Sequence, residues 1–294
     1  MTQPVRAFFN EDTGERFYTS VDPLAHEPSV SVTSVLSTAM PRQVYLMPWV
    51  AKVVAETAAE LLMWNAEGKS EDWSWAYMDE KSGEIDYETL AKDLAQSWKW
   101  ERDQAGELGD EAHVACEEVM RASKGDPEIA QAVIEGVTYS PGVKARLEHL
   151  LVWLQEHRVQ VVATEFTIYN ESYGYAGSCD LAAYVDGVPH VLDFKTGRVN
   201  PDAALQLVAY KYGEFTVDNA GNVHGMPFST MVNVECAVID LKPTFCRVVQ
   251  TDSSDAMFCV FRDLMRLRSE WFGREQKNAL GAVTFDSRKV GSDD

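Results

Sequence analysis

The sequence predicts a mixed α/β fold, with a central mixed β-sheet flanked by helices and a helical region ahead of it. Three observations predict it. Asp86–Ser123 and Pro141–His157 carry helical spacing, three strand-like stretches follow through about residue 196, and a helix from Pro201 separates these from two further strands.

Taken in order, residues 1–30 read as a short ribbon and loop. Thr33 or Ser34 caps a short helix, and Pro48–Asn65 reads as a longer one with Val50, Val53, Val54, Ala58 and Leu61 on its apolar positions. Glu67–Glu84 mixes Gly, Ser, Asp and Lys with Trp73, Trp75 and Tyr77, and reads as an exposed insertion. Those aromatics form either the loop's own small core or a surface on which bases stack. Asp86–Ser123 reads as one or two helices that deliver His113, and Pro141–His157 as another. Strands are expected at about 160–169, 175–185 and 189–196, the last two joined by the hairpin signal Asp186-Gly187. Pro201 suits a first helical turn, with Asn200 as N-cap. Val232–Ile239 and Phe245–Gln250 are two more strands, before an amphipathic helix over Ser253–Phe272. This divides the chain into an N-terminal helical region (1–105, with its insertion near 67–84), a core (106–275) and a tail (276–294).

The chemistry concentrates at Asp193-Phe194-Lys195. Strand alternation points Asp193 and Lys195 to one face and Phe194 to the other, while the hairpin folds the strand of Asp180 back against them. Magnesium is a hard cation that takes one or two protein carboxylates and leaves room for water and a substrate phosphate. A lysine beside it can stabilise developing negative charge. An acid-x-Lys triplet alone is weak, because charged residues at i and i+2 are common on half-solvated strands. Its surroundings add weight: Gln206 and Tyr210 share one helix face, Gly109 and His113 stand four apart in a helix, and Glu165 sits on a strand.

In order, Gly109-x-x-x-His113, Glu165, Gly177-x-x-Asp180, Asp193-x-Lys195 and Gln206-x-x-x-Tyr210 resemble the five motifs of the RecB-like branch of the PD-(D/E)XK nucleases. Pro28–Leu36 with Pro48-Trp49-Val50-Ala51-Lys52 is similar to the N-terminal region of phage exonucleases in that branch. The resemblance implies a restriction-endonuclease-like core and a metal-dependent DNA exonuclease of phage or bacterial replication, recombination or repair. It implies His113, Asp180 and Asp193 as side-chain ligands of Mg2+ or Mn2+, with the Phe194 carbonyl as a backbone ligand. Lys195 becomes the catalytic lysine, and Glu165 holds a coordinated water or a second metal at the edge. Gln206 and Tyr210 position the scissile strand or brace the lysine. Histidine ligation suits manganese as well as magnesium. The four-cysteine pattern that holds an iron-sulphur cluster in some relatives is missing, so no cluster is expected.

Composition sets the remaining expectations. The 294 residues suffice for a full core, and no apolar run approaches the roughly twenty residues that span a bilayer. The N-terminus lacks a signal peptide's apolar stretch, and Cys116, Cys179, Cys236, Cys246 and Cys259 form no CxxC pair, which fits a reducing cytoplasm. Cys179 reads as a small buried residue. The net charge of −20 runs against the basic groove expected of a DNA-binding enzyme. Either a local basic patch binds DNA, its candidates being Arg262, Arg266, Arg268 and Arg274 with Lys195, Arg198 and Lys211, or a replication or recombination partner loads the protein. Gly68-Lys69-Ser70 is no P-loop, because Met63 stands where the first glycine must be. The rival readings are a structure-specific endonuclease or flap nuclease with the same centre, a non-catalytic nucleic-acid-binding protein on this fold, and an acidic partner-binding protein. The oligomeric state stays open.

Overall fold

A computed structural model describes residues 7–11, 15–19, 28–39, 43–67, 77, 84–218, 220–231 and 233–272. Strands β1 (Ala7–Phe9), β2 (Arg16–Tyr18) and β3 (Ser29–Ser31) lead into helix α1 (Val32–Ala39). The cap of α1 is Ser31, whose hydroxyl accepts the Ser34 N–H at 2.9 Å, and not Thr33 or Ser34 as expected. Helix α2 (Gln43–Ala66) begins five residues ahead of the expected start and carries Pro48 inside its second turn. A proline there forfeits one backbone donor, but its fixed φ is already helical. Helix α3 (Tyr87–Ser123) is one unbroken element, opened by Asp86, whose carboxylate accepts the Glu88 and Thr89 N–H groups. It ends at Lys124, in the left-handed region at φ 55°, and at Gly125, where a Cβ would lie 2.3 Å from the Val159 carbonyl oxygen.

Helix α4 (Pro127–Gly136) was not expected, although Asp126-Pro127 is a start signal and Asp126 does cap Glu128 and Ile129. Helix α5 (Pro141–Glu156) then leads to β4 (Val159–Asn170), β5 (Tyr175–Val185) and β6 (Val188–Lys195). Asp186 and Gly187 both take positive φ, 51° and 87°, as a two-residue hairpin turn requires. In α6 (Asp202–Lys211) the capping position falls on Pro201 without a side-chain bond, and Asn200 offers its carbonyl to Ala203 instead. A small hairpin, β7 (Phe215–Val217) and β8 (Val223–Gly225), precedes β9 (Glu235–Lys242), β10 (Phe245–Thr251) and α7 (Asp255–Leu267), which runs into a π-helical turn at Arg268–Phe272. The insertion near 67–84, apart from Glu67, Tyr77 and Glu84, and the tail 276–294 lie outside the described residues.

The sheet is mixed. β5 pairs antiparallel with both β4 and β6, β6 pairs parallel with β9, and β10 closes on β9. The opposite flank continues from β4 to β7 and β8. β3 and β6 share one edge of β5: β3 lies parallel at Tyr175 and Ala176, and β6 takes Leu181 to Val185. Among the described residues, no strand pairs with positions 177–180 on that edge. This fork in the sheet is where the candidate site lies.

Helices cover both faces. On one, α1, α6 and α7 bury Val35, Leu36, Leu207, Val208, Phe258 and Phe261 against Ile168, Tyr175, Val191 and Val238. On the other, α3, α4 and α5 bury Val119, Met120, Ile134, Leu147, Leu150 and Leu154 against Leu181, Leu192, Phe194 and Ile239. Each such side chain contributes about 1.5–3 kcal/mol, and the two cores together fix the face that every strand residue takes. β6 shows this directly: Val191 enters the first core while Leu192 and Phe194 enter the second, which turns Asp193 and Lys195 toward α6. Helix α3 crosses the expected 105/106 boundary without a break, and β1–β3 with α1 join the same sheet and first core. α2 packs on the N-terminal half of α3, with Trp49 edge-on to Trp98. No described helix is long and apolar enough to cross a membrane.

Candidate active site

At the C-terminal end of β6, Asp193 is 2% exposed and its Oδ2 stands 2.5 Å from Lys195 Nζ. Gln206 of α6 ties the pair together. Its Oε1 accepts from Lys195 Nζ at 3.2 Å, and its Nε2 donates to Asp193 Oδ1 at 3.0 Å and to the Tyr210 hydroxyl at 2.9 Å. The i,i+4 spacing puts Gln206 and Tyr210 on the helix face that looks at β6. The Tyr210 ring packs directly on Gly177 of β5, where a Cβ would come within 2.6 Å of Tyr210 Cε1. Only glycine leaves room for that ring.

Asp180 stands at the mouth of the fork. The β5–β6 ladder runs only to Leu181 opposite Leu192, and the Asp180 carboxylate takes over by accepting the Phe194 N–H at 2.8 Å. His113 reaches the same carboxylate from α3, with Nδ1 3.6 Å from Asp180 Oδ2, too far for a hydrogen bond. Its ring meets Phe194 edge-on. Across β4, the pairs Thr164 with Leu181 and Phe166 with Cys179 set Glu165 opposite Asp180. Glu165 has φ 45°, a conformation that costs energy in a side-chain-bearing strand residue, and it follows a bulge at Val162.

His113, Glu165, Asp180, Asp193, Lys195, Gln206 and Tyr210 all line one cavity of about 210 Å³. Phe194 is not among the lining residues; its ring is buried in the second core and its N–H is engaged by Asp180. The cavity also takes Arg16 and Tyr18 from β2, Ser31 to Thr33 at the start of α1, Val114 and Glu117 from α3, and Gly177 and Ser178 from β5. Arg16, Tyr18, Glu117 and Ser178 were not singled out from sequence. Glu117 had a legible signal, since it stands one helical turn beyond His113. Of the basic-patch candidates among the described residues, only Lys195 lines the cavity. Arg262 lies over Tyr173 and Phe258, Arg268 pairs with Glu15, Lys211 is bonded to Ser253, and Arg274 lies outside the described residues.

Crowded acids dominate the electrostatics. Burial, then Glu117 and Asp193, push Glu165 up to about 7, against the pull of Arg16. Burial, together with Asp193 and Glu165, raises Asp180 well above the usual carboxylate range. For Lys195 burial works against the charge, but Asp193 and Asp180 outweigh it and leave its value raised. Burial holds the His113 imidazole below its ordinary value, so it is neutral near pH 7 with a lone pair to offer. Burial also lifts the Tyr210 hydroxyl and the Cys179 thiol, and Cys179 is buried as expected.

No protein-family model matches this chain, and no curated protein matches it significantly.

Among the described residues, no three His, Cys, Asp or Glu side chains converge on a single point as they stand. Lys195 and Gln206 engage both oxygens of Asp193, and the Phe194 N–H engages Asp180 Oδ2. The donor set nevertheless suits a divalent cation. His113 Nδ1 and Asp180 Oδ2 are 3.6 Å apart. Four acids (Glu117, Glu165, Asp180 and Asp193) face two cationic side chains (Arg16 and Lys195) around the cavity, a balance that a bound cation would correct.

Proposed function

We propose that this chain is a divalent-cation-dependent DNA exonuclease built on a restriction-endonuclease-like core. The observation that carries the reading is that Asp180, Asp193 and Glu165 line one cavity with Lys195 at a fork in the sheet, beside His113, Gln206 and Tyr210. Buried like charges are costly, and such an arrangement persists where it serves a cation or a reaction. His113, Asp180 and Asp193 are the cavity side chains that would hold Mg2+ or Mn2+, which would supply a Lewis acid for the phosphodiester.

The chain's own residues have distinct roles in this reading. Lys195 sets its ammonium beside the reacting phosphate, where it meets negative charge as that charge develops. Gln206 and Tyr210 hold Lys195 and Asp193 in one geometry through three hydrogen bonds. Glu165, which also lines the cavity, would accept a proton from an attacking water. Arg16 gives the cavity a second cation for a phosphate oxygen. Replication, recombination or repair of phage or bacterial DNA is the setting that the motif resemblance suggests, in a cytoplasmic compartment and with a loading partner to offset the charge of −20.

The test separates the exonuclease from the endonuclease with the same centre. Linear duplex and single-stranded DNA are incubated with the protein in Mg2+ or Mn2+ beside covalently closed circles. Loss of linear DNA with intact circles supports the exonuclease; nicked or linearised circles replace it with the endonuclease.

A further inference from the structure

Beside the site, and outside its cavity, lies a buried charge cluster that the chemistry above does not use. Asp240 on β9 is 1% exposed and stands opposite Lys195 in the parallel β6–β9 register. Its Oδ1 pairs with Lys242 Nζ at 2.8 Å, and its Oδ2 pairs with Arg247 Nε and Nη2, each at 2.8 Å. A carboxylate buried this deeply needs such partners. Lys242 does not stop at Asp240. Its ammonium also donates to the carbonyl of Thr196, at 2.9 Å, and to that of Gly197.

Those two carbonyls follow Lys195 directly, at the point where the chain leaves the sheet. The β6–β9 pairing ends with Lys195 opposite Asp240, so the next two carbonyls have lost the strand as a partner. One ammonium, fixed by a buried carboxylate, replaces that partner. The same turn touches α3, because a Cβ on Gly109 would come 3.2 Å from Thr196 Oγ1, and Gly109 precedes His113 by one helical turn. The clamp therefore adjoins both the lysine and the helix that carries the histidine.

We propose that Lys242, held by Asp240, is a positioning residue that fixes the end of β6 and hence the place of the Lys195 ammonium between Asp193 and Gln206. The inference rests on the nuclease reading for its kinetic consequence, but its geometric content stands apart from it. The experiment compares wild type with Lys242→Met and Lys242→Arg in two readouts: kcat and KM on linear DNA with Mg2+, and the side-chain ammonium NMR signal of Lys195, assigned with Lys195→Arg. For Lys242→Met the expected result is kcat down about 10- to 100-fold with KM within about twofold, because an ångström of misplacement costs that much. The Lys195 signal should also be displaced. Lys242→Arg, which keeps donors for both carbonyls and the fold, should recover most of kcat and the signal. Unchanged kcat and an unchanged Lys195 signal in a folded Lys242→Met protein would overturn the proposal, as would a loss that Lys242→Arg does not relieve. If wild type cleaves no DNA while Lys242→Met still displaces the Lys195 signal, the nuclease reading fails and the positioning role stands.

Discussion

Gly177→Ala tests the packing that organises the site. The added methyl would sit 2.6 Å from Tyr210 Cε1, 3.5 Å from Tyr210 Cζ and 3.4 Å from Val32 Cγ2. Carbon atoms in good contact are about 3.5–4.0 Å apart, so the first contact is about 1 Å too short and the other two are ordinary. The strain therefore falls on the tyrosine ring alone. Tyr210 is 2% exposed, and its hydroxyl is tied to Gln206, so the ring cannot swing away without disturbing the amide that holds Asp193 and Lys195. Overpacking of this kind costs about 1–3 kcal/mol. In a chain of this size that lowers the melting temperature by roughly 2–10 °C. The assay is a double-mutant cycle by thermal or urea denaturation over wild type, Gly177→Ala, Tyr210→Leu and the double variant. With the ring removed, the cost of Gly177→Ala should shrink to the additive noise of about 0.5 kcal/mol. An unchanged melting temperature for Gly177→Ala, or an equal cost in both backgrounds, would show that the Tyr210 ring does not carry the strain.

The remaining predictions concern charge. Lys195→Met strips Asp193 of its ion pair; with Lys195 partly exposed, the metal-free protein should lose stability toward the lower end of the roughly 3–5 kcal/mol typical of a broken buried pair. Calorimetry should show part of that loss returning when Mn2+ is added. Glu165 folds with a value near 7, above its ordinary 4.5, so its stabilising contribution is fully present below about 4.5 and is lost as pH rises through 7. The metal-free melting temperature should accordingly rise between pH 8 and pH 6, and Glu165→Gln should flatten that slope; an equal slope in the variant would remove Glu165 as its source. Mn2+ or Mg2+ should stabilise wild type by about 2.7 kcal/mol at a hundredfold excess over its dissociation constant, with protons released as the acids ionise. Titration calorimetry in buffers of different ionisation enthalpy counts those protons, and a cation that neither stabilises nor releases protons would leave the acid cluster unexplained.

Short-range signals carried much of this architecture. The period of two separates Asp193 and Lys195 from Phe194, the four-residue helical step unites Gln206 with Tyr210, and Asp186-Gly187 marks the hairpin between β5 and β6. What spacing could not show was which distant residues meet. His113 reaches Asp180 only because α3 packs beneath the sheet, and the motif order, rather than any local property, linked the two. Arg16 and Tyr18 arrive through a three-residue strand and a two-residue parallel pairing of β3 with β5, which leave no periodic trace. Pro48 marked a helix start in the sequence, yet it is tolerated inside α2. The strain at Glu165 is invisible in composition, since a glutamate is an ordinary strand residue until its φ is known.

The most direct test of the central claim is the release of label from end-labelled linear DNA by wild type and Lys195→Ala, in Mg2+, in Mn2+ and in EDTA. Progressive shortening is expected with either cation, none in EDTA, and a loss of at least about 100-fold in Lys195→Ala, the scale seen when one electrostatic donor is removed from a reacting centre. Cleavage that persists in EDTA or in the lysine variant would contradict it. So would a wild-type protein that binds the cation and cuts nothing.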